Sequence, residues 1–330
     1  MVGGRDFVWR AQVKTRDPVD SEQEETPLWR KGRERGALVG MFLTVWVYRQ
    51  LGRWFADLIL WFVVTYFFIT SWTGRQASRD FLSRATKGTR PSLKNIHAHF
   101  MDFAQTSLDR FDVWTGDTRR YHYTFKGRDH LDRLVSTRQG AVLVGAHFGN
   151  SDALRALIDT SLAKVHFLTD QRGARKFFSV LQRFCPRMVE GATAYDVRHP
   201  ENVIALKAAV ERGEFVGLLA DRNVSETGRG SRRVMRVPFL GSRAAFPQAP
   251  FLFAALLRCP VLFIAGVRRA RWEYDLIVEP IADRVDLPEE AGPERDRQLD
   301  PYVMAFAKKL ESYAVQFPTQ WFNFYDFWRA

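Results

Sequence analysis

His147 and Asp152 are the residues whose types and spacing could do chemistry. They lie in Val142-Leu143-Val144-Gly145-Ala146-His147-Phe148-Gly149-Asn150-Ser151-Asp152, where an apolar run ends in a histidine and a carboxylate follows five positions later. A carboxylate on one imidazole nitrogen fixes the tautomer and leaves the other nitrogen to take a proton from an attacking group. Val142 to Ala146 reads as a short buried strand. Asn150 and Ser151 are good helix N-caps, and Ala153-Leu154-Arg155-Ala156-Leu157-Ile158 reads as a helix. His147 then sits at a strand's carboxyl end, and Asp152 in the next helix's first turn is expected to turn back and hold the imidazole. Alone, the pair also fits a structural histidine beside an ordinary helix N-terminal charge.

The sequence from His147 to Asp152 fits the H-x4-D/E signature of glycerolipid-type acyltransferases. The stretch Gly145-Ala146-His147-Phe148-Gly149-Asn150 most resembles the late acyltransferases of lipid A biosynthesis. Three further stretches fall in that family's order: Gly217-Leu218-Leu219-Ala220-Asp221-Arg222, then Val237-Pro238-Phe239-Leu240-Gly241-Ser242-Arg243, then Phe317-Pro318-Thr319-Gln320-Trp321-Phe322-Asn323-Phe324. The resemblance spans roughly residues 36–328. The basic, aromatic segment from Trp29 to Trp54 is also similar to an acyltransferase group associated with aryl-polyene-type lipids. Two positions depart from the lipid A enzymes: Asp152 stands where many have glutamate, and Arg222 follows Asp221 where glutamine is common.

Moving an acyl chain from a thioester to a hydroxyl needs a base, stabilisation of the oxyanion and an apolar groove. His147 supplies the base, with Asp152 expected to hold it. Gly149-Asn150-Ser151-Asp152 is not a G-x-S-x-G nucleophile elbow, which favours direct transfer over an acyl-enzyme. The oxyanion is left to backbone N–H groups at the start of the 151–162 helix or to a nearby arginine. Asp221 ends an apolar strand and is expected to face the site. Gly241 and Ser242 could let backbone approach a phosphate, or form an ordinary turn. Arg183, Arg222 and Arg243 are the candidate arginines. Arg183 resembles in placement an arginine that lipid A acyltransferases use near substrate phosphates. Cys185 and Cys259 fit neither a disulfide framework nor a zinc site. His97, His99, His122 and His130 make no familiar ligand set, so neither metal nor cofactor is expected. His97 and His99 read as surface or capping residues.

The elements that position these residues follow from the pattern of the chain. Strands are expected at 141–146, 164–168, 215–220, 261–267 and 273–279, and helices at 151–162, 173–184, 200–212, 247–258 and 300–316. The 76–115 region reads as helical with a break near Thr89-Arg90-Pro91. This alternation predicts an α/β fold with a mixed, mainly parallel sheet flanked by helices. Residues 1–35 are polar and read as a disordered tail without a signal peptide. Residues 36–75 carry two apolar, aromatic-rich stretches separated by Gly52-Arg53, read as a membrane-associated helical segment, spanning or lying in the interface, with a pair of buried core helices as the alternative. Residues 76–330 are the expected catalytic domain.

The formal net charge is +12. A surplus of this size calls for an anionic membrane surface or an acidic protein. Nucleic acid is disfavoured because no nucleic-acid motif accompanies the charge. Together these features predict a membrane-associated acyltransferase at the cytoplasmic face of a bacterial inner membrane. Its donor is acyl carrier protein or acyl-coenzyme A thioester, and its acceptor a lipid or glycolipid hydroxyl. Two alternatives stay open. One is a lysophosphatidate-type acyltransferase, although Pro238-Phe239-Leu240-Gly241-Ser242 lacks the P-E-G triplet of those enzymes. The other is a non-catalytic, membrane-anchored basic protein that recruits an acidic partner.

Overall fold

A computed structural model describes residues 47–48, 50–154, 158, 162–169, 194–196, 201–222, 234–287 and 297–329. The polar tail, Arg183, Cys185 and the helix expected at 173–184 lie outside these residues.

Nine strands form two sheets among the described residues. They are β1 (His122–Lys126), β2 (Ala141–Gly145), β3 (Val165–Thr169), β4 (Ala194–Asp196), β5 (Phe215–Leu219), β6 (Val234–Phe239), β7 (Ser242–Pro247), β8 (Val261–Ala270) and β9 (Glu273–Ala282). The large sheet has the order β1-β9-β8-β2-β5-β3-β4, and only β8 and β9 pair antiparallel. All five residues of β2 are buried, as a central parallel strand covered on both faces requires. Pleating sends alternate side chains to opposite layers. Val142 and Val144 pack with Phe81, Leu206, Phe251 and Phe306. Leu143 packs with Leu131, Leu134, Leu154 and Ile158 on the other side.

The covering helices are α1 (Arg53–Thr70), α2 (Trp72–Ala85), α3 (Leu93–Thr115), α4 (Arg128–Ser136), α5 (Glu201–Glu211), α6 (Ala249–Leu257) and α7 (Asp300–Gln316). The break predicted near Pro91 separates α2 from α3. Ser92 caps α3 by accepting from the Asn95 N–H, and Gly116 ends it in the left-handed conformation. The helix expected after His147 is present at 151–154 and at 158. Four strands were not legible in the sequence. β1 and β4 are short edge strands, and β6 and β7 form a separate antiparallel hairpin. That hairpin turns on Leu240 (φ 49°) and Gly241 (φ 78°), two consecutive positive-φ residues as a tight hairpin turn demands.

The first described long helix, α1, is apolar enough to cross a membrane by length and composition, with a mean hydropathy of 1.4 over 18 residues. It does not stand apart from the rest of the protein. Ala56, Leu60 and Val64 pack with Leu108 of α3. Arg53 enters a buried polar cluster: its guanidinium donates to Asp112 at 2.8 Å and Asp109 at 2.5 Å on α3. Tyr121 donates to Asp112 at 2.6 Å, and Tyr274 donates to Asp109. The opposite face of α1 exposes Trp54, Leu58, Trp61, Phe62, Tyr66 and Ile69.

Because Asp109 and Asp112 are fully buried, removing their cation strands two charges. Arg53→Met should cost on the order of 3–5 kcal/mol in denaturant unfolding of the full chain. A loss below about 1 kcal/mol would mean that the cluster does not hold α1 against α3.

Candidate active site

The catalytic candidates meet at the carboxyl ends of two adjacent parallel strands, where open α/β sheets place ligands. β2 and β5 pair in the register Gly145↔Leu219. Two residues further along each chain stand His147 and Asp221. The ladder continues past the strands, with the Ala220 N–H donating to the Gly145 carbonyl at 3.0 Å. His147 Nδ1 lies 2.9 Å from Asp221 Oδ1, and the His147 backbone N–H donates to Asp221 Oδ2 at 3.0 Å. The Trp321 indole N–H donates to the same oxygen at 3.1 Å.

This corrects one sequence expectation. The carboxylate on His147 Nδ1 is Asp221, 74 residues away in the chain, in place of Asp152. Asp152 lies in the first helical turn as expected, but its carboxylate sits 3.4 Å from Arg110 Nε. The adjacent strand's register, with its partner already at bonding distance, decides the matter.

Asp221 is buried, which alone would raise its pKa. His147, Arg222 and the Trp321 indole outweigh that and hold it well below the usual carboxylate range. An ionised Asp221 only accepts hydrogen bonds, so Nδ1 carries the imidazole proton and Nε2 carries the lone pair. Burial, followed by the Arg222 charge, lowers the His147 pKa against the opposing pull of Asp221. The ring is thus neutral at pH 7. Its side chain keeps 31% exposure, so a reactant can approach it.

The turn after His147 is held by close backbone contacts. Gly149 adopts φ 55°, and a Cβ there would meet the Gly266 carbonyl oxygen of β8 at 2.1 Å. The Asn150 N–H donates to that carbonyl at 2.7 Å. The C-terminal segment closes over the turn. The Gly149 N–H donates to Gln320 O, and the Phe322 N–H to His147 O, each at 2.8 Å. The Gln320 side chain grips Arg268 of β8 at both its N–H (2.9 Å) and its carbonyl (2.7 Å). The Pro-x-Gln-Trp stretch therefore pins the segment with glutamine and reaches Asp221 with tryptophan.

The remaining sequence candidates divide. Arg222 belongs to the site: it donates to Phe322 O at 2.7 Å and lies over the Tyr325 ring. Gly241 and Ser242 sit at the β6–β7 turn, where Ser242 Oγ accepts from Arg84 at 2.5 Å. Arg243 is exposed on β7 and donates to the Arg236 carbonyl at 2.9 Å. Their link to the site runs through Phe239, whose ring meets Trp321 at 5.1 Å. Cys259 is buried in the core and its thiol is pushed up to about 12 by burial, unsuited to a nucleophile. Among the described residues, no group of three or more His, Cys, Asp or Glu could hold a metal ion.

Two site residues were missed in the sequence. Arg110 of α3 donates to the Gly149 carbonyl at 2.9 Å. His99, expected at the surface, is fully buried. Its Nε2 donates to the Trp321 carbonyl at 2.9 Å, and its Nδ1 lies 2.8 Å from Ser78 Oγ. His97, the other expected surface histidine, is half-buried against Thr65, Trp61 and Phe68. No local signal marks His99 or Arg110, because their partners lie in distant segments.

Residues 38–330 match the family described as bacterial lipid A biosynthesis acyltransferase. The chain belongs to that family. No curated protein matches the chain in sequence. Membership makes it an acyltransferase of lipid A type, and it places the His147–Asp221 pair inside the matched residues.

His99 gives a stability prediction. Burial lowers its pKa to about 4 from an ordinary value near 6.5. The unfolded chain therefore binds a proton that the folded chain refuses between those pH values, and stability falls as pH drops from about 6.5 to about 4. The loss should approach on the order of 3 kcal/mol, and His99→Gln should flatten that part of the curve. A wild-type curve with no more slope than the variant's would mean that His99 is charged in the folded protein.

Proposed function

We propose that this acyltransferase moves a fatty acyl chain from an acyl-carrier-protein thioester to a hydroxyl of a lipid A-like or related glycolipid acceptor. It would work at the cytoplasmic face of the bacterial inner membrane. The observation that carries the mechanism is the 2.9 Å contact between His147 Nδ1 and the buried Asp221 carboxylate, which leaves Nε2 available as a base. Nε2 takes the proton of the acceptor hydroxyl as its oxygen attacks the thioester carbonyl. Asp221 stabilises the resulting imidazolium. The tetrahedral intermediate collapses by breaking the carbon–sulfur bond, and the imidazolium returns its proton to the leaving thiolate. Products are an ester and a free carrier thiol. Arg222 or backbone N–H groups at the start of the helix after His147 would stabilise the oxyanion.

The formal charge of +12 suits an acidic carrier protein. The exposed face of α1 suits lipid: its 18 residues span roughly 27 Å at 1.5 Å each, close to a bilayer core of about 30 Å.

The enzymatic test is release of free carrier thiol from acyl carrier protein thioester in the presence of membrane lipid, with mass spectrometry of the acylated product. His147→Gln should lose at least ~10²-fold in turnover while melting as wild type does. Since the neutral ring is the active form and its pKa is lowered, kcat/KM should fall only below the ordinary histidine range of about 6.5. A folded His147→Gln protein with wild-type turnover would overturn the mechanism.

Membrane association is tested separately. Replacing Trp54, Trp61, Phe62 and Tyr66 together by glutamine should move the full chain from the membrane pellet toward the supernatant. An unchanged distribution would mean that this face of α1 is not what meets lipid.

A further inference from the structure

We propose that Arg110 is a positioning residue for the base, and that the motif aspartate, Asp152, acts through Arg110 and not on the imidazole. This rests on the acyltransferase reading above and assigns the labour within its site.

Arg110 stands on α3 and reaches both ends of the turn that follows His147. Its Nη2 donates to the Gly149 carbonyl at 2.9 Å, and its Nε lies 3.4 Å from Asp152 Oδ2. One guanidinium thus reaches the second and fifth residues after the base, the first by a hydrogen bond and the second by charge alone, whereas a lysine would present a single point charge. The turn leaves little room to shift, because it is seated directly against β8. Gly149 is left-handed with no space for a side chain beside the Gly266 carbonyl, to which the Asn150 N–H donates at 2.7 Å. The residue before Arg110 reinforces the placement of α3. Asp109 is fixed by Arg53, Tyr121 and Tyr274, and Tyr274 also lies beside the Asn150 amide. Meanwhile Asp221 already occupies Nδ1 and the His147 backbone N–H. The tautomer is therefore settled without Asp152.

Among the described residues, the charges acting on His147 are Asp221 and Arg222 after β5 and Arg110 on α3. Arg110 and Arg222 both disfavour the imidazolium, and Asp221 favours it. Each role therefore leaves its own mark.

The test uses the full-length protein and two independent readouts. Long-range ¹H–¹⁵N NMR of ¹⁵N-histidine protein reports the tautomer and pKa of His147, assigned by the signal lost in His147→Gln. It needs no substrate. Turnover with acyl carrier protein thioester is the second readout. Asp152→Asn should keep the Nδ1–H tautomer yet lose about ten- to a hundredfold in kcat, as displacement of a base by about 1 Å does. Asp221→Asn should lose the tautomer preference and more activity. Arg110→Ala should raise the His147 pKa, and Arg110→Lys should restore that pKa without restoring kcat. The Arg110→Ala/Asp152→Asn double variant should cost no more than the worse single one. If Arg110→Ala melts early, Asp152→Asn, nearly isosteric, carries the test by itself. The proposal is overturned if Asp152→Asn changes the tautomer, or if its kcat loss is additive with that of Arg110→Ala. A wild-type protein that transfers no acyl group would sink the functional reading instead, while the tautomer result still judges this assignment.

Discussion

A single buried carboxylate organises the site. Asp221 accepts from the backbone and the ring of His147 and from the Trp321 indole, joining the ends of two central strands to the C-terminal segment. An ionised group in such surroundings is tolerated only when its lone pairs are filled. Three donors from two separate segments supply that here. The same contacts decide the imidazole's protonation, so burial of the carboxylate and readiness of the base have one cause. Losing any donor would leave a charged acceptor short of partners in a low-dielectric setting, where that shortage is costly.

Helix α3 holds the surroundings of that carboxylate in place. Along one face, residues at helical spacing each take a different part of the site: His99 the Trp321 carbonyl, Asp102 and Gln105 the Arg268 guanidinium, Asp109 the Arg53–Tyr121–Tyr274 cluster, and Arg110 the turn after His147. Polar contacts of this kind are directional, so they set position where apolar packing would allow slippage. Through Asp109 and Asp112 the same helix also carries α1, whose other face is exposed and aromatic. The part of the protein best suited to lipid and the turn bearing the base thus share one rigid support.

Where local pattern governs, the sequence was readable. β2, β5 and the first seven residues of β8 are continuous apolar runs, β9 carries a shorter apolar stretch from Leu276 to Val278, and α2, α3, α6 and α7 read as helical segments. β1 alternates exposed and half-buried positions over five residues, too few to separate from loop. β6 and β7 owe their pairing to a turn containing Leu240 at positive φ, a conformation a leucine does not announce. That leucine is held there by tertiary contacts: its side chain is buried, and its N–H donates to Glu311 at 2.8 Å.

What the chain by itself determined is the chemistry available: a histidine at a strand end, a carboxylate at the end of another apolar strand, a Pro-x-Gln-Trp segment and an aromatic apolar helix. Those are local facts, carried by residue type and short-range periodicity. Which carboxylate meets the histidine was decided only in three dimensions. Asp152 is five residues away in sequence, and Asp221 is at bonding distance because β2 and β5 pair in the register Gly145↔Leu219. Register is a property of the sheet, set by how both faces of each strand are buried. The partnerships of His99 and Arg110 likewise come from how α3 is laid against the C-terminal segment and the turn, and no spacing within α3 encodes either one.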